Sequence, residues 1–278
     1  MSNILLDLHD TLTDSRYRLL GSGIRSAIAN VIDRGYTIGI NSDSSFEACR
    51  TLYEQLGLNG PIICENGAGL SIDGISEVLS AFTQDASRFV NLRSTFISLC
   101  GRHSSDLHVS SLEGMSFVQG GDLLIKIGHH FRDVILVNPF RRWSLCFYAR
   151  RHDCGKFDFS PELLGWGVDV LRGHVAEDDR FGDLWWDINH DYGICIVHDA
   201  STHKKRGVAK LLEKTASDSL IMIGNSMSDF VGDARVRQFA VANASEEYKA
   251  RCELVASEPL TLGVAELLNC LPSLNPLW

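Results

Sequence analysis

Short apolar runs alternate with amphipathic stretches through the first seventy residues of the chain. The predicted strands and helices, in chain order, are residues 4–8, 22–33, 36–40, 44–56 and 61–64. A capping-box pattern from Ser44 to Glu47 opens the second of these helices, and Gly57 stops it. Strands and helices that alternate in this way predict a parallel sheet with helices on both faces.

The same alternation returns near the C-terminus of the chain. The predicted elements there are a helix, two strands, a helix, a strand and a helix, at residues 203–215, 219–223, 239–242, 246–251, 254–256 and 262–268. Ligands of an open parallel sheet bind at the carboxyl ends of its strands. Candidate site residues are therefore those that directly follow a predicted strand.

Between about residues 80 and 190 the pattern changes. One long helical stretch, residues 86–100, is followed by β-like runs with turn residues between them. The runs cover residues 123–127, 134–137, 143–148 and 183–188. This texture predicts an α+β domain, residues 80–190, inserted into a parallel-sheet domain of residues 1–79 and 191–278.

Composition narrows the class of partner. The 278 residues are 45% hydrophobic and 22% charged, as in ordinary globular proteins. A net charge of -9 disfavours nonspecific binding to nucleic acid or to an anionic membrane, since little offsets repulsion from phosphates. No apolar run approaches the ~18 residues of a membrane span, and no basic segment precedes the first strand. Eight cysteines without a C-x-x-C pair indicate reduced thiols and a cytoplasmic protein.

Polar side chains follow the first two predicted strands. Asp7 ends the first apolar run, and a Thr-rich turn comes after it. Residues 41–44 follow the second strand, where hydroxyls and a helix N-terminus would suit a phosphate or another oxyanion. Helix capping accounts equally well for Ser44, but it does not account for Ser42.

Two further polar segments lie in the C-terminal part. Lys204 and Lys205 begin a helix, where a cation is unfavourable for the helix dipole. They either reach into an anionic site or form a solvated basic patch. The strand at 219–223 leads into Gly224 and a polar loop that ends at Asp229. Asp229 would then lie at the same sheet edge as Asp7.

In this order the four segments resemble the haloacid dehalogenase superfamily of aspartyl hydrolases. Residues 7–13, Asp-Leu-His-Asp-Thr-Leu-Thr, are similar to its first motif, Asp-x-Asp-Gly-Thr-Leu-Thr. Ser42 matches the Thr or Ser of the second motif. Lys204 or Lys205 matches the lysine of the third, and residues 224–229 are similar to the fourth, Gly-Asp-x-x-Asn-Asp.

The Cof-type branch of that superfamily is the more specific resemblance. Residues 63–68, 240–244 and 263–266 look like its motifs, and its members carry a large α+β cap between the second and third motifs. The resemblance implies an α/β fold, a Rossmann-like core with an inserted α+β cap. It also implies that an Asp attacks phosphorus and forms an aspartyl-phosphate, while Mg²⁺ offsets the charge repulsion.

The resemblance implies a role for each matching position. Asp7 is the expected nucleophile and His9 the expected general acid/base. The expected phosphate-binding residues are Ser42, Asp43, Asn66 and Lys205, with Lys204 as the alternative lysine. The expected ligands of Mg²⁺ are Asp7, the backbone carbonyl of His9, Asn225 and Asp229.

The chain departs from the family pattern where acids are usual. His9 replaces the second Asp, Asp10 replaces the following Gly, and Asn225 replaces the first acid of the fourth motif. These changes are expected to weaken Mg²⁺ binding, although Asp10 would return one carboxylate if the loop shifted by a residue. Imidazole exchanges protons near neutral pH, so His9 is chemically suited to acid/base work.

Three functions remain open at this point. The first is a phosphatase of a small phosphorylated metabolite, such as a sugar phosphate, with His9 in the usual place of Asp. The second is attack by Asp7 without a metal, as in dehalogenating members of the superfamily. The third is a catalytically weak protein that binds a phosphorylated ligand or has a regulatory role.

Overall fold

The structure is a computed structural model that describes most of the chain. The described residues are 3–14, 18–79, 87–102, 106–111, 130–153, 156–178, 181, 183–216 and 219–271. They form two compact units, residues 1–80 with 202–278 and residues 81–201. No helix within the described residues has the length and apolar character needed to cross a membrane. The run predicted at 123–127 lies outside the described residues.

Within the described residues, strands and helices follow each other closely along both units. The strands are β1 (Asn3–Leu6), β2 (Thr37–Asn41), β3 (Ile62–Cys64), β4 (Gly69–Ile72), β5 (Ile75–Val78), β6 (Leu107–Ser111), β7 (Asp133–Val137), β8 (Ser144–Asp153), β9 (Lys156–Phe159), β10 (Leu184–Asn189), β11 (Ile194–Asp199), β12 (Leu220–Gly224), β13 (Val236–Ala240) and β14 (Leu254–Val255). The helices are α1 (Ile24–Ile32), α2 (Phe46–Leu56), α3 (Ser87–Cys100), α4 (Pro161–Ala176), α5 (Lys204–Thr215), α6 (Glu246–Lys249) and α7 (Leu260–Cys270).

The first unit is built on one sheet, with the strand order β14-β13-β12-β1-β2-β3-β4-β5 among the described residues. The six strands from β14 to β3 pair in parallel, which confirms the predicted parallel sheet. Leu6 of β1 lies level with Ile40 on one side and Ile223 on the other. The residues that follow these three strands therefore meet at one edge.

Helices of the first unit pack on the sheet through apolar positions at helical spacing. In α1 these are Ile24, Ala27, Ile28 and Val31, all buried. The capping of α2 lies one residue later than predicted, because Ser45 accepts the N–H of Ala48. Gly57, at φ 68°, ends that helix as the sequence predicts.

The second unit has its own sheet, with the order β10-β11-β8-β7-β6 and β9 paired to β8 in the described part of the chain. Residues of α3 and α4 join those of the sheet in a buried core around Phe96, Phe147 and Leu164. The helix α4 had no counterpart in the sequence prediction.

The boundary between the units differs from the predicted one. The sequence prediction returned the chain to the parallel-sheet domain at residue 191, whereas the second unit continues to Ser201. The reason is β11, which pairs antiparallel with both β8 and β10. Its residues Cys195 and Val197 are fully buried in the core of the second unit.

Candidate active site

Asp7 directly follows β1 at the carboxyl edge of the first unit's sheet. Its N–H donates to the carbonyl of Ile223 at 2.9 Å, and its side chain is buried. The hydroxyl of Thr11 donates to Oδ2 of Asp7 at 3.0 Å. The turn between them closes because the amides of Leu12 and Thr13 both donate to the carbonyl of Leu8. The first motif thus forms a tight loop around one buried carboxylate.

Lys204 joins this carboxylate to a second one. Its Nζ lies 2.6 Å from Oδ1 of Asp7 and 2.6 Å from Oδ1 of Asp229, and all three side chains are buried. Lys205 is exposed. The lysine that reaches the site is therefore Lys204, and the preference for Lys205 is corrected. Successive residues of a helix point about 100° apart, so only one of two adjacent lysines faces the sheet edge.

Close packing of glycines brings α5 to the sheet edge. A Cβ on Gly207 of α5 would clash with the side chain of Ile63, and one on Gly67 would clash with the carbonyl of His203. Asn66 donates from Nδ2 to the carbonyl of Thr202 at 3.4 Å. Asn66 was predicted to bind phosphate. In the structure its side-chain amide holds the backbone that leads into α5.

The loop after β12 folds Asp229 back over the strand end. Oδ2 of Asp229 accepts the amides of Asn225 and Ser226 at 3.0 and 3.1 Å. A Cβ on Gly224 would lie 2.5 Å from that same oxygen, so only glycine leaves room for this fold. With Lys204 on Oδ1, both oxygens of Asp229 are engaged. The metal-ligand role of Asp229 stays a prediction.

Burial and neighbouring charges shift the pKa values of Asp7 and Lys204. Burial, together with the charge of Asp229, raises the pKa of Asp7 to about 7, although Lys204 and Thr11 act in the opposite direction. Burial alone would lower the pKa of Lys204, but Asp229 and Asp7 raise it above its ordinary value. Lys204 is therefore the charged partner at neutral pH, and Asp7 ionises with difficulty.

The second motif lies at the same edge, in the turn that leads into α2. Ser42 is buried, and its Oγ accepts the amide of Ser44 at 3.1 Å while donating to the hydroxyl of Ser44 at 3.1 Å. Asp43 is half-buried between them. The hydroxyls thus organise the turn in which a helix N-terminus faces the edge.

The substituted positions add no buried acid to the described part of the site. His9 is half-buried two residues after Asp7, and Asp10 is exposed. Asp10 has φ 54°, the left-handed conformation that glycine adopts most readily, at the position where the family carries Gly. Asn225, half-buried, follows Gly224 at the end of β12.

The donor set does not fit a magnesium centre. Within the described residues no three His, Cys, Asp or Glu side chains are grouped so that they could hold a metal ion. Of the predicted ligands, Asp229 is engaged by Lys204 and two amides, and Asn225 is a neutral amide. The two predicted ligands that carry charge, Asp7 and Asp229, are both in contact with Lys204, whereas Mg²⁺ prefers hard, charged oxygen ligands in octahedral geometry.

Comparisons with known proteins agree with this fold. Residues 4–92 match the model of a family described as haloacid dehalogenase-like hydrolase. A haloacid dehalogenase-like hydrolase from Bacteroides thetaiotaomicron has a similar structure, with a TM-score of 0.66 and 16% identity over 97% of this chain and 99% of that one. A protein from Thermotoga maritima also has a similar structure, with a TM-score of 0.63 and 13% identity over 96% of each chain.

A third similar structure is described as conserving a trigonal-bipyramidal intermediate in a phosphoryl-transfer superfamily. Its TM-score is 0.58 at 12% identity, over 98% of this chain and 99% of that one. No curated protein sequence matches the chain. The chain is thus similar to haloacid dehalogenase-like hydrolases by family match over residues 4–92 and by fold over nearly its whole length.

Proposed function

We propose that this protein hydrolyses phosphate monoesters of small metabolites, such as sugar phosphates, through an aspartyl-phosphate on Asp7. The observation that carries the proposal is the contact of Lys204 with Asp7 and Asp229, at 2.6 Å each. A buried carboxylate held by an ammonium at the carboxyl edge of a parallel sheet is a prepared nucleophile. The match to a hydrolase family and the likeness to a phosphoryl-transfer structure support it.

In the first step an oxygen of Asp7 attacks the phosphorus atom. The bond between phosphorus and the ester oxygen breaks, and protonated His9 gives its proton to the leaving oxygen. Asp7 thereby becomes an acyl phosphate, and the alcohol leaves. His9 is suited to this transfer by its residue type and its place two residues after the nucleophile.

In the second step water attacks the phosphorus of the acyl phosphate. Neutral His9 takes a proton from that water, the bond between phosphorus and the Asp7 oxygen breaks, and inorganic phosphate leaves. Both Asp7 and His9 return to their starting protonation states. The two steps together convert one ester and one water into an alcohol and phosphate.

An incoming phosphate dianion must be brought close to an anionic nucleophile. Lys204 supplies the one buried positive charge that the described residues hold at this edge. The N-termini of α2 and α5 add partial positive charge, and the Ser42 turn lies in front of α2. These groups offset the repulsion that a metal offsets elsewhere in the superfamily.

The test measures phosphate release from a panel of phosphorylated metabolites, with matched lysine variants. Lys204→Met is expected to lower kcat by about a hundredfold or more, whereas Lys205→Met leaves it within about twofold. Asp7→Asn should abolish turnover and also the phosphoryl adduct that mass spectrometry detects on the Asp7 peptide. Loss of turnover in Lys205→Met with full activity in Lys204→Met would overturn the assignment.

The donor set at the site favours a variant of this function that needs no metal. Turnover should persist in the presence of a chelator, because Lys204 already contacts both carboxylates, Asp7 and Asp229, that would otherwise bind a metal. Turnover abolished by the chelator and restored by Mg²⁺ would instead support the usual metal chemistry. Binding of inorganic phosphate without turnover of any panel member would indicate a phospho-ligand-binding protein.

A further inference from the structure

The loop that carries Asp7 is held from the far end of the chain. The carbonyl of Asp10 accepts a hydrogen bond from Nδ2 of Asn243 at 2.7 Å. The Oδ1 of the same Asn243 accepts the amide of Leu260 at 2.9 Å. Both Asp10 and Leu260 are in the left-handed region, at φ 54° and 53°. One amide side chain thus connects two residues in a backbone conformation that L-residues seldom adopt.

Thr261 makes a second connection beside the first. Its Oγ1 donates to the carbonyl of Leu12 at 2.6 Å and accepts the amide of Leu20 at 2.8 Å. Thr261 is buried at the start of α7. The C-terminal segment therefore holds the first motif at two carbonyls, those of Asp10 and Leu12.

The link from Asn243 leads to Asp7 through a single peptide unit. The carbonyl of Asp10 and the amide of Thr11 belong to the same plane, so the bond from Asn243 fixes one side of it. On the other side, the amide of Thr11 donates to the carbonyl of Leu8 at 3.3 Å. The orientation of this plane sets where the Thr11 hydroxyl lies, and that hydroxyl donates to Oδ2 of Asp7.

The residue at position 10 explains why the loop needs stabilisation by a hydrogen bond from Asn243. The family carries Gly there, and glycine adopts the left-handed conformation without steric cost. An Asp at φ 54° tends to return to negative φ, which would rotate the peptide plane of Thr11. The bond from Asn243 opposes that rotation.

We propose that Asn243, assisted by Thr261, is a positioning residue for the nucleophile. It keeps Asp10 left-handed and thereby keeps the hydroxyl of Thr11 on Asp7. The catalytic consequence rests on the proposed function, because it requires Asp7 to be the nucleophile. The structural part, that Asn243 orders the loop, stands apart from any activity.

A double-mutant cycle tests the catalytic part. Asn243→Ala should lower kcat by about tenfold or more with KM within about twofold, since it acts on the geometry of the nucleophile. In the Asp10→Gly background the same change should cost less than about threefold, because glycine does not need the hold. An equal loss of kcat in both backgrounds would overturn the proposal.

A matched control removes a similar asparagine elsewhere. Asn59 accepts the amide of Ile38 on its Oδ1 at 2.9 Å, near the beginning of β2 and away from the carboxyl edge. Asn59→Ala should therefore leave kcat within about twofold of the wild type, whatever it does to stability. For the second link, Thr261→Ser should keep kcat and Thr261→Val should lower it, because only serine retains the hydroxyl.

Hydrogen exchange measures the structural part without turnover. Amides of residues 8–14 should exchange faster in Asn243→Ala than in the wild type, while those of β12 stay unchanged. Unchanged exchange in residues 8–14 would show that Asn243 does not order the loop, even if activity falls. If the wild type turns over no phosphorylated metabolite, the proposed function fails, and the exchange result still decides whether Asn243 orders the loop.

Discussion

At the residue scale, Asp7 as the proposed nucleophile has to satisfy two opposing requirements. A nucleophile must be ionised, yet burial and the nearby Asp229 raise the pKa of Asp7 to about 7. A carboxyl whose pKa is raised on folding stabilises the native state most when it is protonated, at low pH. That stabilisation is lost as pH rises from about 3.8 to about 7. The charged carboxylate of Asp7 is therefore a source of instability at neutral pH.

Removing that charge should stabilise the protein in a pH-dependent way. Asp7→Asn is expected to raise Tm by several degrees at pH 8 and by much less at pH 5, because the wild-type carboxyl is ionised only at the higher pH. Thermal unfolding at the two pH values measures the difference. The control is Asp233→Asn, because hydrogen bonds from Arg235 lower the pKa of Asp233 to about 2 and its effect should be the same at both pH values. Equal Tm gains for Asp7→Asn at pH 5 and 8 would contradict the raised pKa.

A second residue-scale prediction concerns the missing acid at the end of β12. Asn225→Asp restores a carboxylate where the family carries one, so Mg²⁺ should bind at least about tenfold more tightly than to the wild type. Calorimetric titration with MgCl₂ measures this affinity without any substrate. The control is Asn189→Asp, which adds the same charge at an exposed position of β10. The same Mg²⁺ affinity in Asn225→Asp and the wild type would refute this account of the site.

Part of the site was predictable from residue types and order, and part was not. Asp7 and Asp229 follow apolar runs, so their meeting at one sheet edge follows from strand order. The sequence interpretation preferred Lys205 over Lys204 and was wrong, because the rotation of α5 depends on its packing against Gly67. Asn243 and Thr261 were not predicted to act at this loop. Each lies more than 230 residues away in sequence from the loop carbonyl to which it donates.

At the element scale, the placement of Lys204 depends on how closely α5 approaches β3. Gly207→Ala introduces a Cβ that clashes with Ile63, so it should lower the free energy of unfolding by about 1–3 kcal/mol. The control is Gly173→Ala in α4, where no atom lies within 4 Å of the added Cβ and a gain of up to about 1 kcal/mol is expected. Urea unfolding measures both. Equal effects of the two substitutions would show that α5 is not closely packed there.

Physical reasons explain why the sequence prediction missed some of the elements. Helix α4 opens with Ser160 as its cap and Pro161 in its first turn, a start signal that was available. Three glycines, at 165, 167 and 173, weaken its helical pattern. The hairpin of β4 and β5 turns at Asp73 and Gly74, both at positive φ, which is the hairpin signature of an Asp-Gly pair.

At the scale of the whole molecule, the chain consists of two units that each have a buried core. The second is one continuous segment, residues 81–201, whose described sheet and helices enclose Phe96, Phe147 and Leu164. A continuous segment with its own core has what an independent domain needs. The first unit is made of two segments, residues 1–80 and 202–278, that meet when β1 pairs with β12.

The domain end at Ser201 and the predicted end at residue 190 lead to different expectations for an isolated fragment. Residues 81–201 expressed alone should unfold cooperatively, with a single urea transition followed equally by far-UV circular dichroism and tryptophan fluorescence. A fragment of residues 81–190 lacks β11, which lies between β10 and β8 in the sheet. Without it β10 loses its partner and the core loses Cys195 and Val197, so this fragment should show no cooperative transition. Cooperative unfolding of the shorter fragment would place the end of the domain near residue 190, and failure of both would show that the second unit depends on the first.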